Sequence, residues 1–334
     1  MEMGMELPLV SILVPVYRVE DYIERCARSL FEQTYECLEY IFVDDASPDK
    51  SIDILEKTMS DYPQRKSYTK IIHHSENKGL AAARNTAVAG CHGQFIFHVD
   101  SDDWVEHNAV ELLVNKQKVT NADIVTGQAV SHQADIVKPC NSGNGDLDKH
   151  TMLFQVLTYQ LSTSIWRRLI KRSLYIDNHI KANENGSLGE DYQVFPCLLY
   201  YANRISFIDN CIYHYNKDNL HSLMNSIQSN VDIQKQGYVS ACVIVDFFSD
   251  KDSHLKSIAH GQKIKYLLLR MKQNCSQGNR KGYKYFHDIL LTCNFEEWQF
   301  VKWNQPLRRY IDSHYYILKM VLGYNKAKRF INSI

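Results

Sequence analysis

The chain has 334 residues, 38 basic and 38 acidic, so its formal net charge is zero, and 45% of its residues are hydrophobic. That composition excludes a disordered or collagen-like chain, and the lack of a basic excess excludes a generally basic nucleic-acid binder. The length suggests about two domains, because a single core rarely grows past roughly 250 to 300 residues.

The zero is a cancellation. Seven basic residues against one acidic residue leave 301–334 at +6, so the first 300 residues carry −6. Nine cysteines, no two closer than eleven residues and none in a C-x-x-C, fit neither a zinc ribbon nor a disulfide framework and suit reduced thiols. Glu2 and Glu6 stand where a secretory signal would be basic, and no apolar run approaches the roughly 18 residues of a membrane span. The expected setting is cytoplasmic, at most peripheral on the inner face of a membrane.

In chain order, residues 9–16 are a compact apolar run suited to a strand buried on both faces. Tyr22, Ile23, Cys26, Ala27, Leu30 and Phe31 then recur at helical spacing. Residues 38–43 form a second strand that ends in Asp44-Asp45-Ala46-Ser47-Pro48-Asp49, where Ser47 as N-cap and Pro48 at the first helical position open a helix. A short strand over 70–74, an Ala-rich helix over 79–89, a strand over 95–99, a helix over 108–121 and a strand over 123–127 follow. Strand and helix alternating with short joins predict βαβ units and a mainly parallel sheet flanked by helices. The middle is less regular, with a Gly/Asn loop at 139–148, a helix over 151–160, a mixed stretch at 165–175, a helical run from Glu190 to Tyr201, and one or two strands within 204–215. Beyond about residue 225 the pattern is helical, with breaks near Asp250, Gly278 and Pro306. The expected organisation is an α/β domain over 1–222 and a helical region over 223–334.

Ligands of open α/β sheets bind at the carboxyl ends of the strands. Three predicted strands end there in polar clusters: Pro15-Val16-Tyr17, Asp44-Asp45 and Asp100-Ser101-Asp102-Asp103. A D-x-D of carboxylates suits a hard divalent cation held jointly with a substrate's phosphates, and it equally suits a solvated turn capping the next helix. Asp44-Asp45 can accept hydrogen bonds from a base or ribose, or cap a helix at Ser47. The run GLAAARN from Gly79 lacks the G-x-G-x-x-G spacing of a dinucleotide fold; its Arg84 could face a diphosphate as a bidentate fork, or lie on the surface. Glu190 and Asp191 open a helix, where acids suit the macrodipole, and a carboxylate at a cleft mouth can also serve as a general base.

Taken in order, PLVSILVPVYRVEDYIERCARSLFEQTY, LEYIFVDDASPD, NKGLAAARNTAVAGCHGQFIFHVDSDDW and GEDYQVF resemble glycosyltransferase family 2, the inverting enzymes of the GT-A fold. The resemblance covers about residues 8–222, and IWRRLIKRSLY and YHYNKDNLHSLM resemble the family's Trp-containing and Tyr-x-Tyr segments. It implies the Rossmann-like sheet of nucleotide-diphospho-sugar transferases. It also implies transfer of a sugar, with inversion, from a nucleotide-sugar donor (a UDP-sugar) to an acceptor hydroxyl in cell-surface polysaccharide or glycan synthesis. The residues it implies are Pro15, Tyr17 and Asp45 at the uracil and ribose, Arg84 near the nucleotide, and Asp100 near the ribose. It further implies Asp102 as ligand of Mg²⁺ or Mn²⁺, Asp191 as catalytic base, and Glu190 and Trp166 toward a glycan or lipid-linked saccharide acceptor. Three positions depart from the family: Arg18 where Asn is frequent, Ala46 where Gly is common, and Asn216 where Arg often follows Tyr-x-Tyr.

Two other classes stay open: a nucleotide-binding or assembly protein on the same scaffold without catalysis, and a nucleotidyltransferase, which would release pyrophosphate. In the basic tail Ile311, Tyr315, Leu318 and Leu322 form an apolar stripe beside Arg308, Arg309 and Lys319. That pattern describes an interfacial helix on anionic lipid, or a helix packed on the catalytic domain with a solvated basic face.

Overall fold

The computed structural model describes residues 7–140, 148–186, 188–219 and 230–293. The chain divides into two units, residues 1–225 and 226–334. The boundary expected near 222, most of the loop at 139–148 and the tail helix beyond 306 lie outside the described residues.

In the first unit, β1 (Val10–Val16) is buried at all seven positions. A central strand covered on both faces has no solvent side, so its sequence does not alternate. α1 (Ile23–Phe31) crosses back over the sheet on Ile23, Cys26, Ala27, Leu30 and Phe31, the spacing that keeps one helical face apolar. β2 (Leu38–Asp44) pairs parallel to β1, Val10 against Leu38 through Val16 against Asp44. After α2 (Ser51–Ser60) and the single turn α3 (Pro63–Lys66), β3 (Thr69–His73) adds parallel to β2. α4 (Leu80–Gly90) presents buried Ala81, Ala82, Ala83 and Ala87, and β4 (Phe95–His98) then joins β1 on its other edge. These four strands are the parallel block expected from the βαβ rhythm. Their carboxyl ends share one rim.

The rest of the unit is β5 (Trp104–Val105), α5 (Ala109–Thr120), β6 (Ile124–Gln133), β7 (Ile136–Cys140), α6 (Lys149–Leu157), β8 (Arg168–Lys171), α7 (Arg172–Asp177), α8 (Glu190–Tyr201) and β9 (Ile205–Asn216). β8 runs antiparallel to both β4 and β6, and β9 runs parallel to β6. The strand order is β3-β2-β1-β4-β8-β6-β9-β5, with β7 antiparallel on the later part of β6. The sheet is therefore mixed: parallel over the half with a clear βαβ rhythm, largely antiparallel where the chain was hard to read. β6 outruns its expected end at 127 because β7 and β9 continue to pair with it as far as Gln133 and His132.

One helix start moves. The helix expected to open at Ser47-Pro48 begins at Ser51. Ser47 is not its cap, because the Ser47 hydroxyl accepts the Arg18 N–H at 2.8 Å and donates to Asp49 Oδ1 at 2.6 Å. The segment is tied back to the end of β1 before the helix begins.

Over its described residues the second unit has three helices, α9 (Val231–Phe248), α10 (Ser253–Ser276) and α11 (Arg280–Thr292), each with a side-chain N-cap from Asn230, Asp252 and Asn279. Ile264, Leu267, Leu268, Met271, Phe286 and Leu290 are its core. No helix among the described residues is long and apolar enough to cross a membrane.

Candidate active site

The rim gathers the three polar clusters of the sequence. Pro15 is buried within β1, and Tyr17, just beyond it, is 38% exposed with the Arg18 guanidinium 5.4 Å from its ring centre. Arg18 (φ 53°) and Ala46 (φ 55°) both hold left-handed backbone. They are two of the positions at which the chain departs from its resembled family, whose Asn and Gly accept that conformation more readily than other residues.

Asp45 is 2% exposed and well supplied with donors. Its Oδ1 accepts from His74 Nδ1 (2.7 Å) and the Lys78 N–H (2.8 Å), and its Oδ2 accepts the Gly79 N–H (2.8 Å). Gly79, with φ 88°, is the turn from which α4 starts. Asp45 thus braces the 74–79 segment and the start of α4 against the end of β2.

The D-x-D is held from β9. Asp103 is 0% exposed and accepts the Tyr213 O–H and the Asn216 N–H, each at 2.7 Å, while the Tyr213 oxygen accepts the Asp100 N–H at 3.0 Å. Asn219 donates to Asp102 Oδ2 at 2.9 Å, and Arg25, stacked 3.6 Å from the Trp104 ring centre, donates to the Asp102 carbonyl. Burial, Asp102 and Asp100 push the Asp103 carboxyl well up; burial and Asp100 push Asp102 up to about 6.

Crowded carboxylate oxygens of this kind fit a hard divalent cation, which would relieve the like-charge repulsion. Among the described residues no group of three or more His, Cys, Asp or Glu is arranged to hold a metal by itself.

Three acids of the site converge on one guanidinium. Arg84, on α4 and 5% exposed, places Nη2 2.9 Å from Asp100 Oδ1 and 3.8 Å from Asp191 Oδ1, and Nε 3.4 Å from Glu190 Oε1. Burial alone would lower the Arg84 pKa, but Asp100, Asp191 and Glu190 outweigh it and raise it. The acids outnumber their cation. Burial and the neighbouring Asp191 push Glu190 up to about 8. Burial pushes Asp191 to about 6, with Asp100 adding to the rise while Arg84, the Ile165 N–H and Arg168 oppose it. The two titrate as a pair. Burial and the crowding of acids thus favour a proton held on this pair to a higher pH than on an ordinary carboxyl. Gly189, with φ 79°, makes the turn that sets both acids in the first turn of α8.

Trp166 is 9% exposed and stacks on Tyr213 (4.5 Å) and Tyr215 (5.5 Å), inside the wall formed with β9. Arg84, Asp100, Glu190 and Asp191 therefore meet directly and Asp102 stands two residues from Asp100. Pro15, Asp45 and Trp166 support the walls, and Tyr17 lies open at the rim.

Sequence reasoning missed Arg168, Tyr213 and Asn219 as site residues. Arg168 is 3% exposed and donates to the Ser164 carbonyl (2.8 Å), Thr126 Oγ1 (2.6 Å) and the Ser162 carbonyl (3.2 Å). It thereby holds the segment whose Ile165 N–H reaches Asp191. Its signal was the second Arg after Trp166 in an otherwise apolar stretch. Tyr213 and Asn219 reach the acid motif from 110 and 117 positions away, beyond any local pattern.

A family model described as Glycosyl transferase family 2 matches residues 11–177, half of the chain. The glycosyltransferase EpsJ of Bacillus subtilis strain 168, itself uncharacterized, is 34% identical over 224 residues, which is 65% of this chain and 63% of EpsJ. The chain thus spans less than two thirds of that relative's length. Among solved structures, S. aureus TarS 1–349 in complex with UDP-GlcNAc superposes with a TM-score of 0.59 at 19% identity, over 83% of this chain and 90% of the other. The mannosyltransferase PcManGT of Pyrobaculum calidifontis, in complex with GDP-Man and Mn²⁺, gives 0.55 at 13% identity, over 92% and 84%. At those identities the two structures share a fold with this chain.

Proposed function

The chain belongs to glycosyl transferase family 2, and we propose that it moves a sugar from a nucleotide-sugar donor, a UDP-sugar, to an acceptor hydroxyl with inversion, in the synthesis of a cell-surface polysaccharide or glycan. The observation that carries the reading is the single Arg84 guanidinium facing Asp100, Glu190 and Asp191. It joins the acid of the nucleotide rim to a candidate base within one buried cluster. A neighbour of the same fold binds UDP-GlcNAc, which supports uridine as the nucleoside.

In this reading Tyr17 offers an exposed ring to the base, with Pro15 and Asp45 shaping the wall behind it, and Arg84 and Asp100 line the ribose and diphosphate side. Asp102 would hold Mg²⁺ or Mn²⁺, whose charge, when bound, offsets the charge of the departing diphosphate. Asp191 accepts the proton of the acceptor hydroxyl as that oxygen attacks the anomeric carbon on the face opposite the diphosphate. A single displacement inverts the centre. Glu190, whose carboxyl is held above the ordinary range by burial and Asp191, lies toward the acceptor, and Trp166 stiffens that side through its stack on Tyr213. The acceptor in this reading is a glycan or lipid-linked saccharide.

The test is UDP release from UDP-sugars by the full chain with Mn²⁺. Asp191→Asn should bind UDP normally and turn over poorly. Undiminished turnover by that variant, or pyrophosphate release from a nucleoside triphosphate, would overturn the reading.

A further inference from the structure

The stretch of chain that serves Asp191, residues 162–168, is strained. Ile165 directs its N–H to the Asp191 carboxyl. Trp166 stacks on Tyr213 and Tyr215, and Arg167 (φ 62°), fully buried, holds left-handed backbone. A bulky residue keeps that conformation only where its surroundings fix it. Backbone pairing does part of this, since the Gly127 N–H donates to the Arg167 carbonyl at 3.0 Å. Arg168 does more.

The Arg168 side chain turns back on the segment that carries it. Nε donates to the Ser164 carbonyl (2.8 Å), Nη2 to the Ser162 carbonyl (3.2 Å) and Nη1 to Thr126 Oγ1 on β6 (2.6 Å). The guanidinium carbon lies 4.0 Å from the centre of the Phe195 ring. Phe195 follows Asp191 by one turn of α8, so both lie on one face of that helix. One fork therefore fastens the strained segment, β6 and the first turns of α8 to each other.

Every acceptor of that fork is neutral, and among the described residues no carboxylate is ion-paired with it. A charge so deeply buried is costly, and an apolar side chain would pack on Phe195 without that cost. Packing alone does not account for the cation. Burial and Arg167 disfavour its charge, and Asp191 favours it. The other ionisable groups facing Asp191 are Arg84 from α4, Asp100 from the end of β4, Glu190 from α8 itself and Tyr175 from α7. Arg84 is divided among three acids, whereas Arg168 answers to Asp191.

Resting on the reading of Asp191 as the base, we propose that Arg168 is its positioning residue: the guanidinium clasps the 162–167 segment to α8, so that the Ile165 N–H and its own buried charge hold Asp191 in place as an anion. Arg168 touches neither donor nor acceptor in this role. It acts through Asp191.

The test is kcat/KM for UDP release against pH, beside calorimetric affinity for UDP with Mn²⁺, on the full chain and two variants. Arg168→Met removes both charge and fork. Its acid limb should move up by about one pH unit, and kcat on the alkaline plateau should fall about tenfold or more, with UDP affinity within about twofold. Arg168→Lys keeps the charge and gives up the fork. Its acid limb should stand where the parent's does, with the plateau only partly restored. A folded Met variant whose acid limb does not move overturns the proposal, as does a loss of UDP affinity equal to the loss of turnover. If the Met variant fails to fold, the Lys variant decides. A plateau lowered about tenfold with the limb in place supports the clasp, and full turnover overturns it. Each of these failures leaves the donor reading standing. A folded parent chain that releases no UDP from any UDP-sugar overturns that reading and this role together.

Discussion

Asp45, at the end of β2, and Asp191, at the start of α8, are both acids turned into one rim, and their surroundings differ in kind. Asp45 accepts hydrogen bonds from His74, the Lys78 N–H and the Gly79 N–H, fixed donors aimed at its two oxygens. Asp191 shares one guanidinium with Asp100 and Glu190, and its Oδ1 is buried without a hydrogen bond. A carboxylate surrounded by backbone donors holds structure together. A carboxylate short of donors, at a pKa pushed up to about 6, can take up and release a proton near neutrality.

The sharpest way to break this contrast is Asp191→Asn. Removing a positioned base lowers turnover by about 10² to 10⁴, and affinity for UDP with Mn²⁺ should stay within about twofold. Steady-state kinetics beside calorimetry reads both, and equal loss of turnover and affinity would place Asp191 in binding instead. Asp102→Ala comes next. Losing a metal ligand should weaken UDP binding in Mn²⁺ by at least about tenfold, the low end of what even an outer-shell partner contributes. In EDTA the variant and the parent chain should bind UDP alike. A tenfold difference that persists there would assign Asp102 a role independent of metal.

Much of this was legible before any coordinates. Strands buried over most of their length write themselves as apolar runs, so β1, β2 and β4 and the polar clusters at their ends could be placed within a residue or two. Arg84 and the Glu190-Asp191 pair could be named because each sits in a local pattern. Their meeting could not be read, since α4, the end of β4 and α8 come together only through the sheet. The helix start failed for a similar reason: Ser47 looks like a cap until the Arg18 N–H, 29 positions earlier, takes its hydroxyl oxygen. Even there a trace existed. Arg18 and Ala46 depart from the family, and both carry the left-handed backbone of the rim.

Asp45→Ala probes the other side of the contrast. It strips three hydrogen bonds, two of them from the backbone of the turn into α4. An unsatisfied buried donor costs about 1 to 3 kcal/mol. At roughly 2 to 4 °C per kcal/mol the melting temperature should fall by several degrees, while turnover at saturating donor changes by less than about threefold. A loss of turnover as large as that of Asp191→Asn would erase the distinction between bracing and reacting acids.

The smallest effect is in pH, and its sign separates the two acids further. Asp191 at about 6 and Glu190 at about 8 both stand above the ordinary carboxyl value, because burial and their acidic neighbours favour the neutral form. Catalysis needs Asp191 as the anion, so kcat/KM should rise with pH, reach half its plateau near 6 and fall about tenfold per unit below that. Stability runs the other way. A raised folded pKa contributes most below the unfolded value near 4, and that contribution is lost as pH climbs through about 6 for Asp191 and about 8 for Glu190. Between pH 5 and 7 activity should therefore increase while this pair's share of the folding free energy declines. Asp191→Asn should lessen the stability change in that window, leaving the part that Glu190 carries, and Asp45→Ala should leave its shape in place. Denaturant melts at half-unit steps decide the point: a slope that Asp191→Asn leaves untouched would mean the cluster around Arg84 does not hold its acids in the protonation states that make Asp191 the base.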